Sequence, residues 1–307
     1  MNNKLECNVA SIIEKCEISN TRDVRRIIAH IKEASYEDIF FNGDAMFLTQ
    51  KEYDLFLNMI SRYKNQEPIS KIINKKSFWK HDFFVNEDVL DPRPETELII
   101  ETVLQHFDTN DELKIMDLGT GSGCILLSLL QEFKRSIGIG IDISHKAIDV
   151  AIHNRRLLNV DRATFITADW TVALQAFTFA ETASSLQIQS AYHSEGSGSI
   201  NWSSVTLADL IVSNPPYIRS DDIPSLDENV RKYDPMVALD GGNSGLNAYV
   251  KIAAISRHLL KKNGMIFLEV GYDQADDIVS ILKTNGYGSI SKAKDINGID
   301  RVVYATS

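Results

Sequence analysis

Cysteine is scarce. The chain carries three, Cys7, Cys16 and Cys124, too few and too scattered for a disulfide framework or a cysteine-built zinc site. Its seven histidines form no metal-type cluster; His81, His106 and the others are expected at the surface or its boundary. No metal is expected. Long apolar runs are missing as well. Nothing approaches the roughly 18 residues that cross a bilayer, and residues 137–143 are broken by Gly138, Gly140 and Asp142. The opening residues MNNKLECNVASIIEK have no basic head before an apolar core, so no secretory signal is expected. Glu6 and Glu14 precede the first arginine, Arg22, which argues against a transit peptide. A reducing cytoplasm fits these absences. Basic residues are outnumbered, 32 Lys and Arg against 42 Asp and Glu, for a formal charge of -10. That balance disfavours a grip on long nucleic acid backbones, so direct DNA binding is not expected, and no membrane partner is expected either.

What is present is ordinary for a folded chain. Hydrophobic residues make up 44% and charged residues 24% of 307 residues. Such a composition excludes wholesale disorder, and the length suits two domains or one large α/β domain with an appendage.

The first part reads as helical. Thr49 and Glu52 have capping-box spacing, and Tyr53, Phe56, Leu57, Ile60 and Tyr63 follow with an amphipathic period. Asn20 or Thr21 can cap another helix with Val24, Ile27, Ile28 and Ile31 on one face. Residues 1–77 thus read as a small helical domain. Residues 78–94, dense in aromatic and β-branched types and closed by Pro92 and Pro94, read as a connector hairpin and rigid turn. Residues 95–307 alternate: a helix from Glu95, then strands at 114–118, 137–141, 163–167, 209–213, 264–270, 287–294 and 300–306, with helices between most of them. This predicts an α/β fold, a doubly wound, mostly parallel seven-stranded sheet of Rossmann-like type. One stretch does not fit. Residues 178–206 are rich in Ser, Gln, Gly and Ala and contain no Lys or Arg, which reads as a flexible insertion.

Two strand ends carry chemistry. DLGTGSG, residues 117–123, lies where a strand feeds a helix, and glycine there lets the backbone turn tightly and approach a ligand. Asp142 closes the next strand, 19 residues past Gly123, where an acid accepts hydrogen bonds from ribose hydroxyls. The spacing Gly119, Gly121, Gly123 and the leading Asp117 suit S-adenosyl-L-methionine better than a dinucleotide. Asp169 and Trp170 follow the third strand, where an indole and a polar group could hold an adenine.

Asn214, Pro215, Pro216 and Tyr217 follow the fourth strand. Two prolines remove two N–H donors and stiffen the loop, while their carbonyls and the Asn214 side chain remain as acceptors. An amide nitrogen is a poor nucleophile because its lone pair is delocalised. If Asn214 Oδ1 and the Pro215 carbonyl each accept one N–H, they hold that nitrogen and favour its lone pair facing a sulfonium methyl. Catalysis would then rest on placement and electrostatics, with no general base required before attack. Tyr217 would pack on the flat face of the target.

DLGTGSG, Asp142, ADW (residues 168–170) and NPPY, in this order, resemble a class I S-adenosylmethionine-dependent methyltransferase that acts on amino or amide nitrogen. RPETE (residues 93–97), FW (78–79) and RKYDPMVALDGGNSG (231–245) narrow the resemblance to the peptide chain release factor glutamine N5-methyltransferases, the HemK-type family. It runs from about Arg62 to Val303. The resemblance implies that Gly119, Thr120, Gly121, Ser122, Gly123, Asp142 and Trp170 contact S-adenosyl-L-methionine, leaving S-adenosyl-L-homocysteine as product. Asn214 would touch methyl donor and substrate, and Asn214, Pro215, Pro216 and Tyr217 would frame the glutamine amide, with Asn214, Pro215 and Tyr217 catalytic. The implied substrate is the glutamine of the Gly-Gly-Gln tip of class 1 release factors, engaged with help from residues 1–77. A monomer is expected. Arg93 and Glu95 are expected to help close the site or to form a surface ion pair and a first-turn acid. The chain departs from the family pattern at Asp91, at Gln66 and Asn74, where glycines are common, and before DRV near the end. Two other functions fit the loop: glutamine methylation of a ribosomal protein, and amino-methylation of adenine or cytosine in DNA, using a flipped base.

Overall fold

The computed structural model describes residues 4–16, 18–170 and 207–307. The insertion expected at 178–206 lies outside the described residues. The chain divides into two compact units, Met1–Lys75 with Glu228–Tyr233, and Lys76–Asp227 with Asp234–Ser307.

In the first unit, β1 (Lys4–Asn8) leads into α1 (Val9–Lys15), α2 (Thr21–Lys32), α3 (Tyr36–Asn42), β2 (Phe47–Thr49), α4 (Gln50–Lys64) and the single turn α5 (Ile69–Ile72). Asn20, not Thr21, caps α2, its side chain accepting the Asp23 N–H at 3.4 Å. The α4 capping box is complete: Thr49 Oγ1 accepts the Glu52 N–H at 3.3 Å, and Glu52 Oε2 accepts the Thr49 N–H at 2.6 Å. Phe56, Met59 and Ile60 form the buried stripe of α4 and join Val24, Ile27 and Ile28 in one core. Leu57, expected on that stripe, is 48% exposed, because positions 56, 59 and 60 already fill the inward face at helical spacing. The antiparallel β1–β2 pair was not expected; it joins Lys4 to Thr49 and Asn8 to Phe47, a separation that no local period reveals. Gln66 and Asn74 are both left-handed, with φ of 65° and 52°. These two positions, where the resemblance leads one to expect glycine, keep the glycine conformation without the glycine.

The second unit opens with the hairpin β3 (Lys76–Phe78) and β4 (His81–Phe83), followed by α6 (Glu97–Leu104). Then come β5 (Lys114–Leu118), α7 (Cys124–Glu132), β6 (Ile137–Asp142), α8 (His145–Leu157), β7 (Ala163–Thr167) and β8 (Ala208–Ser213). The unit ends with α9 (Asn247–Leu259), β9 (Leu260–Glu269), α10 (Ala275–Thr284), β10 (Gly288–Lys294) and β11 (Asp300–Thr306). The seven-stranded sheet has the order β10-β11-β9-β8-β5-β6-β7. β7, β6, β5, β8 and β9 are parallel; β11 and β10 close the sheet antiparallel. Apolar strands are buried on both faces: α6, α7 and α8 contribute to one core cluster, α9 and α10 to the other. The parallel run brings the C-terminal ends of five strands to one edge of the sheet, which is where ligands bind in such folds.

Candidate active site

The turn after β5 is shaped by its own residues. Gly119, Gly121 and Gly123 have φ of 78°, 54° and 79°, a region that costs a residue with a Cβ about 1–2 kcal/mol. Around a Cβ built on Gly121 there is nothing within 4 Å among the described residues, so this glycine leaves space. At Gly123 the same atom would lie 3.0 Å from Phe165 Cζ and 3.2 Å from Ala151 Cβ, so that glycine serves close packing. Asp142, at the end of β6, accepts the Gly121 N–H through Oδ2 and the Ser144 N–H through Oδ1, both at 2.9 Å. Burial pushes its carboxyl up, against the pull of those N–H donors. Behind the turn, Asp117 is fully buried and accepts the Thr120 hydroxyl at 2.8 Å; burial pushes it up to about 7. Asn154 of α8, also fully buried, donates to Ser122 O at 2.9 Å and to Phe84 O at 3.0 Å, tying the turn to the segment after β4.

These groups open on a cavity of ≈ 440 Å³, a size suited to a small-molecule cofactor. Gly119, Thr120, Gly121, Ser122, Asp142 and Trp170 line it. Trp170 stands beside the turn: a Cβ on Gly119 would come within 3.4 Å of its ring. Gly123 is absent from the wall, as its packing role requires. Cys124 also borders the cavity, and burial pushes its thiol up to about 12.

The loop after β8 reaches the same cavity through Asn214 and Pro216. Asn214 Nδ2 donates to Thr96 Oγ1 at 3.1 Å. Pro215 is buried and does not line the cavity. Tyr217 is also absent from the wall; its ring is half-buried beside the core around β8 and β9, and burial pushes its phenol up. Its carbonyl accepts Gln274 Nε2 at 3.0 Å. The next residue, Ile218, bridges to Asp240, with Gly241 N donating to Ile218 O at 2.8 Å. The diproline loop is thus laced to a distant stretch of chain. Arg93, its side chain 38% exposed, pairs with Asp234 Oδ2 at 3.0 Å, and that carboxylate is 2% exposed, so the ion pair is buried at its acidic end. The departure at Asp91 is accommodated in the same place: its carboxylate pairs with Lys76 at 3.2 Å and its N–H faces Asp234.

Sequence reasoning missed Thr96, Asn154, Gln274 and the buried Glu269 that ends β9. Glu269 had a visible signal, an acid closing the apolar run GMIFLE at the ligand-binding edge of the sheet. Asn154 and Gln274 lie on or beside helices whose polar residues give no hint of burial.

A rigid acceptor loop and a glycine turn backed by a carboxylate therefore share one cavity. A family model described as a methyltransferase domain matches residues 109–184. The release factor glutamine methyltransferase of Rhodospirillum rubrum is 36% identical over 285 residues, covering 92% of this chain and 78% of that protein. The protein of the same name from Caulobacter vibrioides is 37% identical, covering 80% of this chain and 75% of that one.

The chain belongs to the release factor glutamine methyltransferase family.

The enzyme is a methyltransferase, and its fold agrees. The hMettl16 catalytic domain superposes with a TM-score of 0.50 at 14% identity, covering 91% of this chain and 90% of that chain. Among the described residues, no helix is long and apolar enough to cross a membrane, and no group of three or more His, Cys, Asp or Glu is placed to hold a metal ion.

Proposed function

We propose that this enzyme transfers the methyl group of S-adenosyl-L-methionine to the side-chain amide nitrogen (N5) of the glutamine in the Gly-Gly-Gln motif of class 1 peptide chain release factors. The observation that carries the reading is Asn214, an amide side chain on a diproline loop, facing the cavity that the glycine turn and Asp142 also line. Family membership supports the same substrate.

The residues fit the donor. The space left at Gly121 admits a ligand against the backbone. Asp142 accepts the Gly121 and Ser144 N–H groups, one on each oxygen, and a carboxylate has about four acceptor positions, so lone pairs remain for a ribose hydroxyl. Trp170 offers a flat apolar face for an adenine. When bound, S-adenosyl-L-methionine supplies an electrophilic methyl on a sulfonium and departs as the neutral thioether S-adenosyl-L-homocysteine.

The remaining work belongs to the chain. Asn214 Oδ1, at the cavity wall, accepts one N–H bond of the glutamine amide and holds its nitrogen in line; the other N–H is assigned to the Pro215 carbonyl, although that residue is buried and off the wall. Acceptors at fixed positions stabilise the positive charge that grows on that nitrogen, without reorganising as it does. Pro216 and Tyr217 frame the glutamine amide, Tyr217 from its half-buried place. No group is asked to remove a proton before attack, since the methylated nitrogen is acidic and loses its proton afterwards. Residues 1–77 are assigned to engaging the release factor, 78–94 to the connector and 95–307 to methyl transfer. The reading places a monomeric enzyme in the cytoplasm.

The test is direct. The enzyme is incubated with methyl-labelled S-adenosyl-L-methionine and purified class 1 release factors, ribosomal proteins or duplex DNA, and the labelled residue is mapped. Label on the Gly-Gly-Gln glutamine is expected. Label on a ribosomal protein glutamine or on a DNA base would replace the reading with that substrate.

A further inference from the structure

We infer that Thr96 and Glu269 are positioning residues that hold the Asn214 amide in one of its two flip states, with Oδ1 turned to the reacting nitrogen. The inference rests on the proposed methyl transfer to an amide and adds two residues to it.

An asparagine amide can be reversed end for end with little change in shape, and the two ends have opposite chemistry. Only the oxygen end serves an N–H substrate; the NH2 end would repel it. A neighbouring acceptor must therefore select the NH2 end and keep it away from the substrate. Thr96 Oγ1 receives Nδ2 at 3.1 Å. A hydroxyl alone does not decide the matter, because it donates as readily as it accepts. Glu269 tips the balance. This carboxylate is 2% exposed at the end of β9, on the strand beside the one that Asn214 follows, and both Thr96 and Asn214 hold its carboxyl down. With its own hydrogen drawn toward that negative charge, Thr96 is left to accept from Asn214. Asn214 Nδ2 donates to Thr96 Oγ1, which leaves Oδ1 of Asn214 for the substrate. Thr96 is itself 2% exposed and lines the cavity, so water competes poorly for these bonds.

The arrangement needs the carboxylate ionised. Burial, the largest influence, raises Glu269 to about 7. Glu95 also raises it; Thr96, Asn214 and Arg301 hold it down. The phenols of Tyr217 and Tyr249 and the thiol of Cys124 sense the same charge, and Tyr249 donates to the Glu269 backbone carbonyl at 2.9 Å. The carboxylate oxygen Oε2 has no hydrogen-bond partner among the described residues. Protonation makes Glu269 a donor. Thr96 then accepts from it and points its own hydrogen at Asn214, which favours the reversed amide.

The experiment uses the full chain, labelled S-adenosyl-L-methionine and a release factor, with kcat, the KM for the donor and the pH profile as readouts. Thr96→Val is expected to lower kcat on the order of a hundredfold, the scale of one lost preorganised contact, with the donor KM nearly unchanged. Thr96→Ser is expected to restore most of the rate. The unaltered enzyme is expected to lose kcat as pH falls through about 7, and Glu269→Gln to lose that acid limb along with most of its rate. Thr96→Val working at the unaltered rate with the same acid limb would overturn the inference, and it does so even if Glu269→Gln fails to fold. The parent reading fails separately: it falls if the unaltered enzyme labels no glutamine.

Discussion

Two strand ends meet at the cavity, and they take their shapes by different means. The path of the turn after β5 is set from within, by three left-handed glycines; Asp142, one strand away, and Asn154 of α8 then fasten it. The loop after β8 is stiffened by two prolines but held in place from outside, by Thr96 before α6, Gln274 before α10 and the bridge from Ile218 to Asp240. A cofactor site reused for many substrates can be written locally. A site that must choose between the two ends of an amide needs partners brought from far along the chain.

The comparison can be tested from the strongest effect to the weakest. Asn214→Ala removes the acceptor that the outer clamps exist to aim. Turnover is expected to fall on the order of a thousandfold, while donor affinity, measured by titration calorimetry, stays within a few fold. Unchanged turnover would dissolve the division of labour between the two loops.

The inner loop carries a pH signature. Asp117, raised to about 7 by burial, stays protonated in the folded enzyme after it has ionised in the unfolded chain. The unfolded state then binds fewer protons, so stability falls as pH rises from about 4 to about 7, with a slope of at most about 1.4 kcal/mol for each pH step of one. Denaturant melts across that window should show the slope, and Asp117→Asn should flatten it. Glu269 acts in the same direction. Glu52, Glu132 and Asp295, whose carboxyls are held down, add stability that is lost only at lower pH.

Gly123→Ala forces a Cβ against Phe165 at a left-handed φ of 79°. A loss of about 2–3 kcal/mol is expected in denaturant melts. A neutral result would mean that the turn is not locally determined. Gln274→Leu cuts one outer clamp, removing the donor to the Tyr217 carbonyl and the acceptor of the Gly271 N–H. Stability should fall by about 1–2 kcal/mol, with turnover reduced more than donor affinity. Equal losses in both would show that Gln274 supports the whole sheet edge rather than the loop.

Much of the architecture was legible because it is periodic or local. Apolar strands alternating with helices announced the seven-stranded sheet, and its strands lie within a few residues of their expected places. Glycine spacing, Asp142 and NPPY marked the cavity, and most of those residues line it. The failures share a cause. Leu57 matched a helical period yet is exposed, because the period does not say which of two adjacent residues faces inward. The β1–β2 pair joins residues some 40 positions apart and leaves no local trace. Nor does the sequence say that the Tyr217 ring packs against the core around β8 and β9.

The sequence alone determined the order of elements, the left-handed turn after β5 and the acceptor character of the loop after β8, because each depends on residue types at short spacing. Only the tertiary structure decided which end of Asn214 faces the cavity. That choice depends on a hydroxyl 118 positions away and a carboxylate on another strand. A side-chain amide has no intrinsic preference between its two orientations until folding surrounds one end with acceptors.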